Sequence, residues 1–350
     1  MPSISAKSSI ASITFIGKWA KKIGYYYMRD KKKKDHIIYT AILYEYIHIL
    51  LKEHNMLEFF IEGQRSTYGK IQHPKFDLLN IISDAYYERQ VDDITIIPIS
   101  ISYDRVLEAD SFPYELIGER KVKESFGRVI QTLMQTRKDY GRIFVNFLNP
   151  ISIKSFTNKY IEKKPYLEPF MKEENRKEIV HSLGYTIIHQ VVEKTIIVPT
   201  SIVASILLMH RRGISESILA SKVEWLAEQI KGRGGKIGGI DDSITFIGVQ
   251  KAMMHINSLV KRKKDMFDPF IEPKDNFKDL LLLNYYKNML LHVFFSESLV
   301  ACVLFSFGQL IAFKEGVELE RFHQHFSFLQ NLLKDEVITR HKYETKEQTL

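Results

Sequence analysis

The sequence contains a single cysteine, Cys302, among its 350 residues. One thiol cannot form an internal disulfide. This excludes the disulfide-rich secreted scaffolds and favours a reducing compartment, or the cytosolic or organellar face of a membrane. Because Cys302 lies in an apolar run, we expect a buried structural thiol and not a nucleophile.

Long hydrophobic runs are also missing. The longest uncharged run, Ser298–Phe313, has 16 residues, whereas a membrane-spanning helix needs about 20. The first 12 residues are small and polar and contain no apolar core of a secretory signal. We therefore expect any attachment to a membrane to be peripheral.

Motifs of nucleic-acid, metal and nucleotide sites are absent as well. No zinc-finger spacing, RNP-like motif or basic heptad repeat occurs. The glycine-rich residues 232–239 match neither the dinucleotide-binding nor the P-loop pattern, and they follow a helical pattern, so we interpret them as a flexible connector. We predict no nucleic-acid partner, no metal site and no bound cofactor.

Positive charge, by contrast, is in excess. Lys and Arg number 50 against 42 Asp and Glu, which gives a net charge of +8 and a pI near 9.1. This balance favours an anionic partner: a phosphorylated ligand, coenzyme A or an acidic lipid surface. The run Lys31–Lys34 is either a solvated loop or a contact with such a partner.

Phosphate-binding groups are concentrated in residues 56–70. Met56–Ile61 is apolar and aromatic, which predicts a buried strand. The loop after it combines a carboxylate, a glycine turn, a guanidinium, a hydroxyl and an ammonium, and several of these groups donate well to phosphate oxygens. An ordinary polar loop is the competing interpretation. The candidate residues are Glu62, Gly63, Arg65, Ser66 and Lys70.

Helical and strand-like patterns alternate over residues 1–156. This alternation predicts an α/β domain in which helices flank a largely buried sheet. Residues 36–54 have an apolar face at helical spacing, which predicts a helix packed through that face. The residues on that face are Ile38, Ile42, Tyr46, Ile49 and Leu50.

From residue 157 to residue 350 the chain reads as a mostly helical C-terminal region. The charged segment Lys159–Lys177 contains two prolines and predicts a linker or an exposed loop. The rest is periodic at helical spacing. The predicted helices cover 176–193, 200–210, 215–231, 244–263, 277–313 and 318–338.

Three blocks resemble the signature motifs of the glycerolipid acyltransferases. Phe60–Ser66 is similar to the family's Phe-x-Glu-Gly-x-Arg-Ser motif, Gly24–Asp30 to its second block and Ile97–Arg105 to its fourth, in the family's order. Further stretches resemble the dihydroxyacetone-phosphate acyltransferases of this family. They are Asp139–Phe147, Tyr286–Phe294 and Phe326–Gln330.

The resemblance implies an acyltransferase-type α/β domain, incomplete at its N-terminal side, followed by the helical region. It further implies transfer of a fatty acyl group from acyl-CoA, a co-substrate, to a hydroxyl of dihydroxyacetone phosphate or glycerol-3-phosphate. The expected setting is glycerophospholipid and ether-lipid synthesis at the surface of a peroxisomal membrane. Pro98, in the fourth block, would shape the wall of the acyl or pantetheine pocket.

Residue roles also follow from the resemblance. Arg29, in the second block, and Arg65 would bind the substrate phosphate. Ser66 and the backbone of Gly63 would donate hydrogen bonds to it. Glu62 would orient either the acceptor or Arg65.

The family's general base is the main departure. Its first block, His-x4-Asp, supplies a histidine that takes the proton of the attacking hydroxyl and an aspartate that orients the imidazole. None of the twelve histidines here has an aspartate five positions later. His292 has a carboxylate there, Glu297, and we interpret these two as a structural pair.

Two cations of the family pattern are replaced as well. Asp30 occupies the position of the second arginine of block two, and Thr67 occupies the position of the arginine that follows Arg-Ser. Each lost charge-assisted hydrogen bond weakens an anion site by roughly 1.5–3 kcal/mol. The C-terminal Gln348-Thr349-Leu350 also differs from a Ser-Lys-Leu peroxisomal address.

Two functions therefore stay open at this point. One is the acyltransferase, with the chain as part of a longer enzyme whose first block lies elsewhere. The other is a truncated or degenerate, non-catalytic relative that binds lipid, membrane or a partner.

Overall fold

The computed structural model mixes helices with several small sheets, in line with the predicted α/β class. It describes residues 2–7, 14–28, 36–63, 66–106, 112–118, 141–239, 246–263, 267–308 and 314–338.

The N-terminal sheet is parallel and has three strands in the order β2–β1–β3. Its central strand β1 was not predicted, because its five residues are small and polar apart from Ile4. Parallel neighbours need crossover connections, and two helices supply them. The elements are β1 (Ser3–Lys7), α1 (Thr14–Lys22), β2 (Tyr25–Met28), α2 (His36–Lys52) and β3 (Leu57–Glu58).

The strand predicted over Met56–Ile61 is shorter than expected, since only the two residues of β3 form a ladder with a neighbouring strand, β1. Leu57 and Ile61 pack against the adjacent hydrophobic cluster, whereas Met56 and Phe60 are 67% and 64% exposed. Side chains alternate across an extended segment, so only every second residue reaches the core. The segment is therefore half-buried.

The packing predicted for α2 is wrong. The predicted face is exposed, and the opposite side carries the buried Ile47 and His48. Because α2 is apolar on both sides, periodicity could not decide which side meets the core. The exposed members of the predicted face, Ile38, Ile42, Tyr46 and Ile49, have 42–67% of their surface accessible.

We call residues 62–70 the signature loop. After it come one buried helix and two antiparallel strand pairs, β4–β7 and β5–β6. The strand predicted over 93–103 is interrupted at Pro98, as expected for a residue that cannot donate to a ladder. The elements are α3 (Phe76–Tyr87), β4 (Thr95–Ile96), β5 (Ile99–Tyr103), α4 (Phe112–Leu116), β6 (Ile143–Phe147) and β7 (Ile151–Ser152).

The β5–β6 pair corrects the expectation of a largely buried sheet. Its inner face is polar, with Ser100 and Ser102 almost fully buried and Asn146 donating from Nδ2 to the Lys194 carbonyl at 3.0 Å. Its outer face is apolar and exposed by 40–70%. That face consists of Ile99, Ile101, Ile143, Val145 and Phe147.

The predicted linker at Lys159–Lys177 is helical only at its two ends, residues 159–163 and 173–177, whereas residues 164–172, which include both prolines, are not helical. Helix α5 (Ile153–Lys163) packs against α3 through Thr157, which is fully buried and lies 3.0 Å from the Tyr87 hydroxyl. Helix α6 (Glu173–Lys194) joins the same hydrophobic cluster. A domain division at residues 156/157 stays a prediction, and elements on both of its sides share this cluster.

The C-terminal region contains the predicted helices and a three-stranded antiparallel sheet, β11–β12–β9, that periodicity missed. Three predicted helices are shorter: that over 244–263 ends at Ile256, that over 277–313 breaks at residues 289–290, and that over 318–338 ends at Leu333. The elements are β8 (Ile196–Ile197), α7 (Pro199–Met209), β9 (Ile214–Ser215), α8 (Glu216–Gly232), β10 (Lys236–Ile237), α9 (Phe246–Ile256), β11 (Val260–Lys263), β12 (Phe270–Pro273), α10 (Phe277–Asn288), α11 (Leu291–Ser306) and α12 (Leu319–Leu333).

Among the described residues, no single helix is both long and apolar enough to cross a membrane. Helices α10 and α11 reach that length and composition only together, and they meet at an angle of 92°. Cys302 on α11 is exposed, which corrects the predicted buried thiol. The helix packs through Phe295, Leu299 and Val303, and Cys302 falls outside that stripe.

Candidate phosphate-binding site

The signature loop begins with a carboxylate that closes it. Oε2 of Glu62 accepts a hydrogen bond from the backbone N–H of Gln72 at 2.8 Å, which ties together residues ten positions apart. Burial raises the pKa of Glu62, and the Gln72 N–H only partly offsets this effect. Glu62 thus stabilises the loop from within, whereas its predicted role toward the acceptor or Arg65 stays a prediction.

Gly63 forms the turn that the sequence predicted. Its φ of +70° lies in the left-handed region, and a Cβ there would approach Lys75 Cγ to 3.1 Å. Its N–H donates to the Phe60 carbonyl at 2.8 Å. This N–H is thus used within the turn, and its expected role as a phosphate donor stays a prediction.

Ser66 and Lys70 are the predicted phosphate ligands that the structure places. Ser66 Oγ is buried and has no hydrogen-bond partner among the residues that the structure describes, a costly state that a ligand would relieve. Lys70 Nζ forms an ion pair with Glu336 Oε2 at 2.7 Å, and it lies 5.6 Å from the Tyr68 ring centroid. Arg29 and Arg65, like Asp30 and Lys31–Lys34, lie outside the described residues.

The loop lies against the C-terminal end of α10, a contact that the sequence did not predict. Gly69 approaches so closely that a Cβ would come within 2.1 Å of the Tyr285 carbonyl oxygen. Asn288 Nδ2 donates to the Tyr68 carbonyl at 2.8 Å. In the sequence, Gly69 could have indicated this contact, since a glycine in a loop often permits a close backbone approach.

Lys287 brings a second cation to this contact. It is half-buried, and burial together with the nearby charge of Lys70 lowers its pKa. It forms no ion pair within the ranges that the structure describes. Glu336 compensates the charge of Lys70, whereas the charge of Lys287 has no such partner among the described residues.

Pro98 is buried between β4 and β5, and its carbonyl accepts from the Leu148 N–H at 2.9 Å. Its predicted place in the wall of an acyl pocket stays a prediction. Beyond it, at the end of β5, the buried Asp104 holds Arg142 through the backbone N–H and Nε, at 2.9 and 3.0 Å. The fourth block thus ends in an ion pair.

The interpretation of His292 and Glu297 as a structural pair is wrong. Glu297 Oε1 accepts from Arg233 Nε at 2.8 Å, so its charge is already compensated. Burial lowers the pKa of His292 to about 4, which keeps the imidazole neutral at pH 7. Within the described ranges, no cluster of His, Cys, Asp and Glu is arranged to hold a metal ion.

Comparison with protein families identifies the class. The family described as "Glycerol-3-phosphate acyltransferase C-terminal region" matches residues 113–350, and the family "Acyltransferase" matches residues 1–102. Because the first match alone covers well over half of the chain, the chain belongs to the glycerol-3-phosphate acyltransferase family. The predicted family membership is confirmed.

Individual relatives show which enzymes of this family the chain is similar to. The dihydroxyacetone phosphate acyltransferases of Oryctolagus cuniculus and Bos taurus are 28% and 29% identical over 353 residues, which is 97% of this chain and 51% of each relative. The mitochondrial glycerol-3-phosphate acyltransferase 1 of Rattus norvegicus is 28% identical over 328 residues, 81% of this chain and 39% of the relative. The chain thus spans about half the length of the dihydroxyacetone phosphate acyltransferases it matches.

Proposed function

We propose that this chain carries the acceptor-binding part of an acyl-CoA-dependent O-acyltransferase that acts on dihydroxyacetone phosphate or glycerol-3-phosphate. The observation that carries the proposal is the family's signature loop, which contains both Lys70 and a Ser66 hydroxyl that is buried and has no hydrogen-bond partner among the described residues. The names of the matched relatives supply the two acceptors.

In the proposed reaction, the acceptor hydroxyl attacks the thioester carbonyl of acyl-CoA. A carbon–oxygen bond forms, the carbon–sulfur bond breaks, and coenzyme A leaves as a thiolate that takes up the hydroxyl proton through a general base. The residues of the loop hold the phosphate, and with it the hydroxyl, in line for attack. The family's His-x4-Asp base is not among these 350 residues.

An apolar surface for the acyl chain supports the acyl-CoA part of the proposal. On the outer face of β5–β6, Ile99 stands directly opposite Phe147, and Ile101 opposite Val145. Such cross-strand pairs form a continuous apolar ladder. Pro98 lies at its edge, where the family resemblance puts the acyl or pantetheine wall.

Peripheral attachment to a membrane is the second part of the proposal. The exposed face of α2 is an apolar stripe of the kind that marks an interaction surface. Helix α1 adds the exposed Lys18, Lys21 and Lys22, which suit an anionic lipid surface. A peroxisomal location rests on the family resemblance alone.

A non-catalytic relative is the second candidate function. It is favoured by the absence of any His-x4-Asp in the 350 residues and by Asp30 and Thr67 in place of two arginines. Such a protein would bind the phosphorylated acceptor, lipid or a partner without transferring an acyl group.

Acyl transfer and acceptor binding by the purified chain test the proposed function. Labelled palmitoyl-CoA is offered with each acceptor in parallel, and binding of each acceptor is measured at equilibrium. The control Arg65→Ala removes the signature guanidinium, and we expect it to weaken acceptor binding about tenfold or more.

Transfer that is lost in Arg65→Ala indicates an enzyme whose base is another group. Acceptor binding without transfer, also lost in Arg65→Ala, indicates acceptor binding by a chain that does not itself supply the general base, as part of a longer enzyme or as the binding-only relative. A folded chain that neither binds nor acylates either acceptor contradicts the proposed function.

A further inference from the structure

The contact between the signature loop and α10 joins segments more than 200 residues apart in the sequence. At Gly69 the loop backbone lies against the Tyr285 carbonyl, with no room for a side chain. One turn further along α10, Asn288 donates to the carbonyl of Tyr68. These contacts fix the last turn of α10 beside the signature loop at Tyr68 and Gly69.

Lys287 belongs to that last turn. Its ammonium is half-buried, lies near the ammonium of Lys70, and forms no ion pair in the described part of the chain. A cation at the C-terminus of a helix gains from the helix dipole, which is the purely structural explanation. That explanation does not account for placing the cation beside a second one, where repulsion and desolvation oppose both charges.

The charge balance at the contact points to an anion. Lys70 and Lys287 contribute two positive charges, and Glu336, which is 61% exposed, contributes one negative charge. The buried Ser66 hydroxyl in the same loop has no partner. A phosphate group would supply the missing negative charge and accept a hydrogen bond from the hydroxyl.

We infer that Lys287, on the C-terminal helix α10, binds the acceptor phosphate together with Lys70 and Ser66. The inference rests on the proposed function, because it assumes that the signature loop binds a phosphorylated acceptor. It adds a residue from outside the signature blocks. It also assigns to the C-terminal region a direct part in the site.

Equilibrium binding to the full 350-residue chain tests this inference, with dihydroxyacetone phosphate and inorganic phosphate as probes. We expect Lys287→Gln to weaken both by about tenfold or more, and Lys287→Arg to restore most of the affinity. The matched control is Lys278→Gln, the same change on the same helix. Lys278 lies nine residues away, about 13 Å along the axis, with its ammonium over the Tyr114 ring.

Chemical protection of the unmodified chain gives a second measurement that needs no variant. Acetic anhydride acetylates accessible lysines, and mass spectrometry follows each site. We expect saturating inorganic phosphate to slow acetylation of Lys287 and to leave that of Lys278 unchanged. A merely structural Lys287 would show no protection.

The outcomes separate this inference from the proposed function. If the wild-type chain binds both probes and Lys287→Gln behaves as Lys278→Gln does, the inference is overturned and the proposed function stands. Unchanged acetylation of Lys287 at saturating phosphate overturns it equally. If the folded wild-type chain binds neither probe, the proposed function fails and this inference fails with it.

Discussion

Gly69 is the residue through which the signature loop and the C-terminal region come closest. Its φ of +80° is in the left-handed region, and its Cα faces the Tyr285 carbonyl without space for a methyl group. Gly234 has nearly the same φ, +79°, but nothing lies within 4 Å of its Cβ position. Comparing substitutions at these two glycines therefore distinguishes the cost of backbone strain from the cost of losing the loop contact.

We predict that Gly69→Ala destabilises the chain more than Gly234→Ala. A left-handed alanine costs roughly 1–2 kcal/mol at either position, and the clash with Tyr285 adds about 1–3 kcal/mol at Gly69. Urea unfolding of both variants measures the difference, and acceptor binding should fall only in Gly69→Ala. Equal destabilisation by the two substitutions would show that the loop does not depend on this contact.

Single residues show what the loop's sequence could and could not predict. The glycine turn at Gly63 can be predicted from the sequence, because few other residues tolerate its backbone conformation. The use of its N–H by Phe60, and of the Glu62 carboxylate by Gln72, depends on how the loop folds back on itself. Spacing identifies groups that can bind phosphate but not those already engaged within the protein.

At the scale of an element, helix α2 shows that a sequence can predict a helix without predicting which of its faces is buried. The sequence predicts its existence and nearly its bounds, because apolar residues recur at helical spacing. Which face packs is decided by its neighbours: Ile47 joins the hydrophobic cluster with α3 and α6, and Ile42 remains exposed. An exposed apolar stripe on a helix needs a partner, and a membrane surface is the one we propose.

We predict that Ile42→Ser weakens binding to vesicles that contain phosphatidylserine. Losing part of the burial of one isoleucine is worth about 1 kcal/mol, or roughly fivefold in affinity. Ile218→Ser is the matched control, because Ile218 is 51% exposed on α8. Vesicle sedimentation at several lipid concentrations measures both variants. Equal binding by wild type and Ile42→Ser would remove α2 from the proposed membrane surface.

Short strands are the elements that the sequence predicted least well. Strand β1 contains only one large apolar residue, Ile4, and β9, β11 and β12 form a sheet inside a region of helical periodicity. Strands of two to five residues give too few alternations to stand out from the surrounding pattern. The β5–β6 pair was predicted as strands, but its polar inner face is set by contacts such as Asn146 with the carbonyl of Lys194.

At the scale of the whole molecule, the proposed site is assembled from both parts of the chain. The signature loop comes from the region similar to the acyltransferase family, whereas α10 and Glu336 belong to the region that matches the glycerol-3-phosphate acyltransferase C-terminal family. The sequence suggested the loop through its motif, and the helix only as a further stretch of family resemblance. Their contact joins residues far apart in the chain and is visible only in the fold.

The most direct test of this account is a crystal structure of the chain with glycerol-3-phosphate bound. We predict the phosphate group against the signature loop, with its oxygens about 3 Å from Ser66 Oγ and from the Nζ atoms of Lys70 and Lys287. We also expect Arg65 to contact it. A phosphate bound elsewhere on the chain, with Ser66 and both lysines unliganded, would contradict the account.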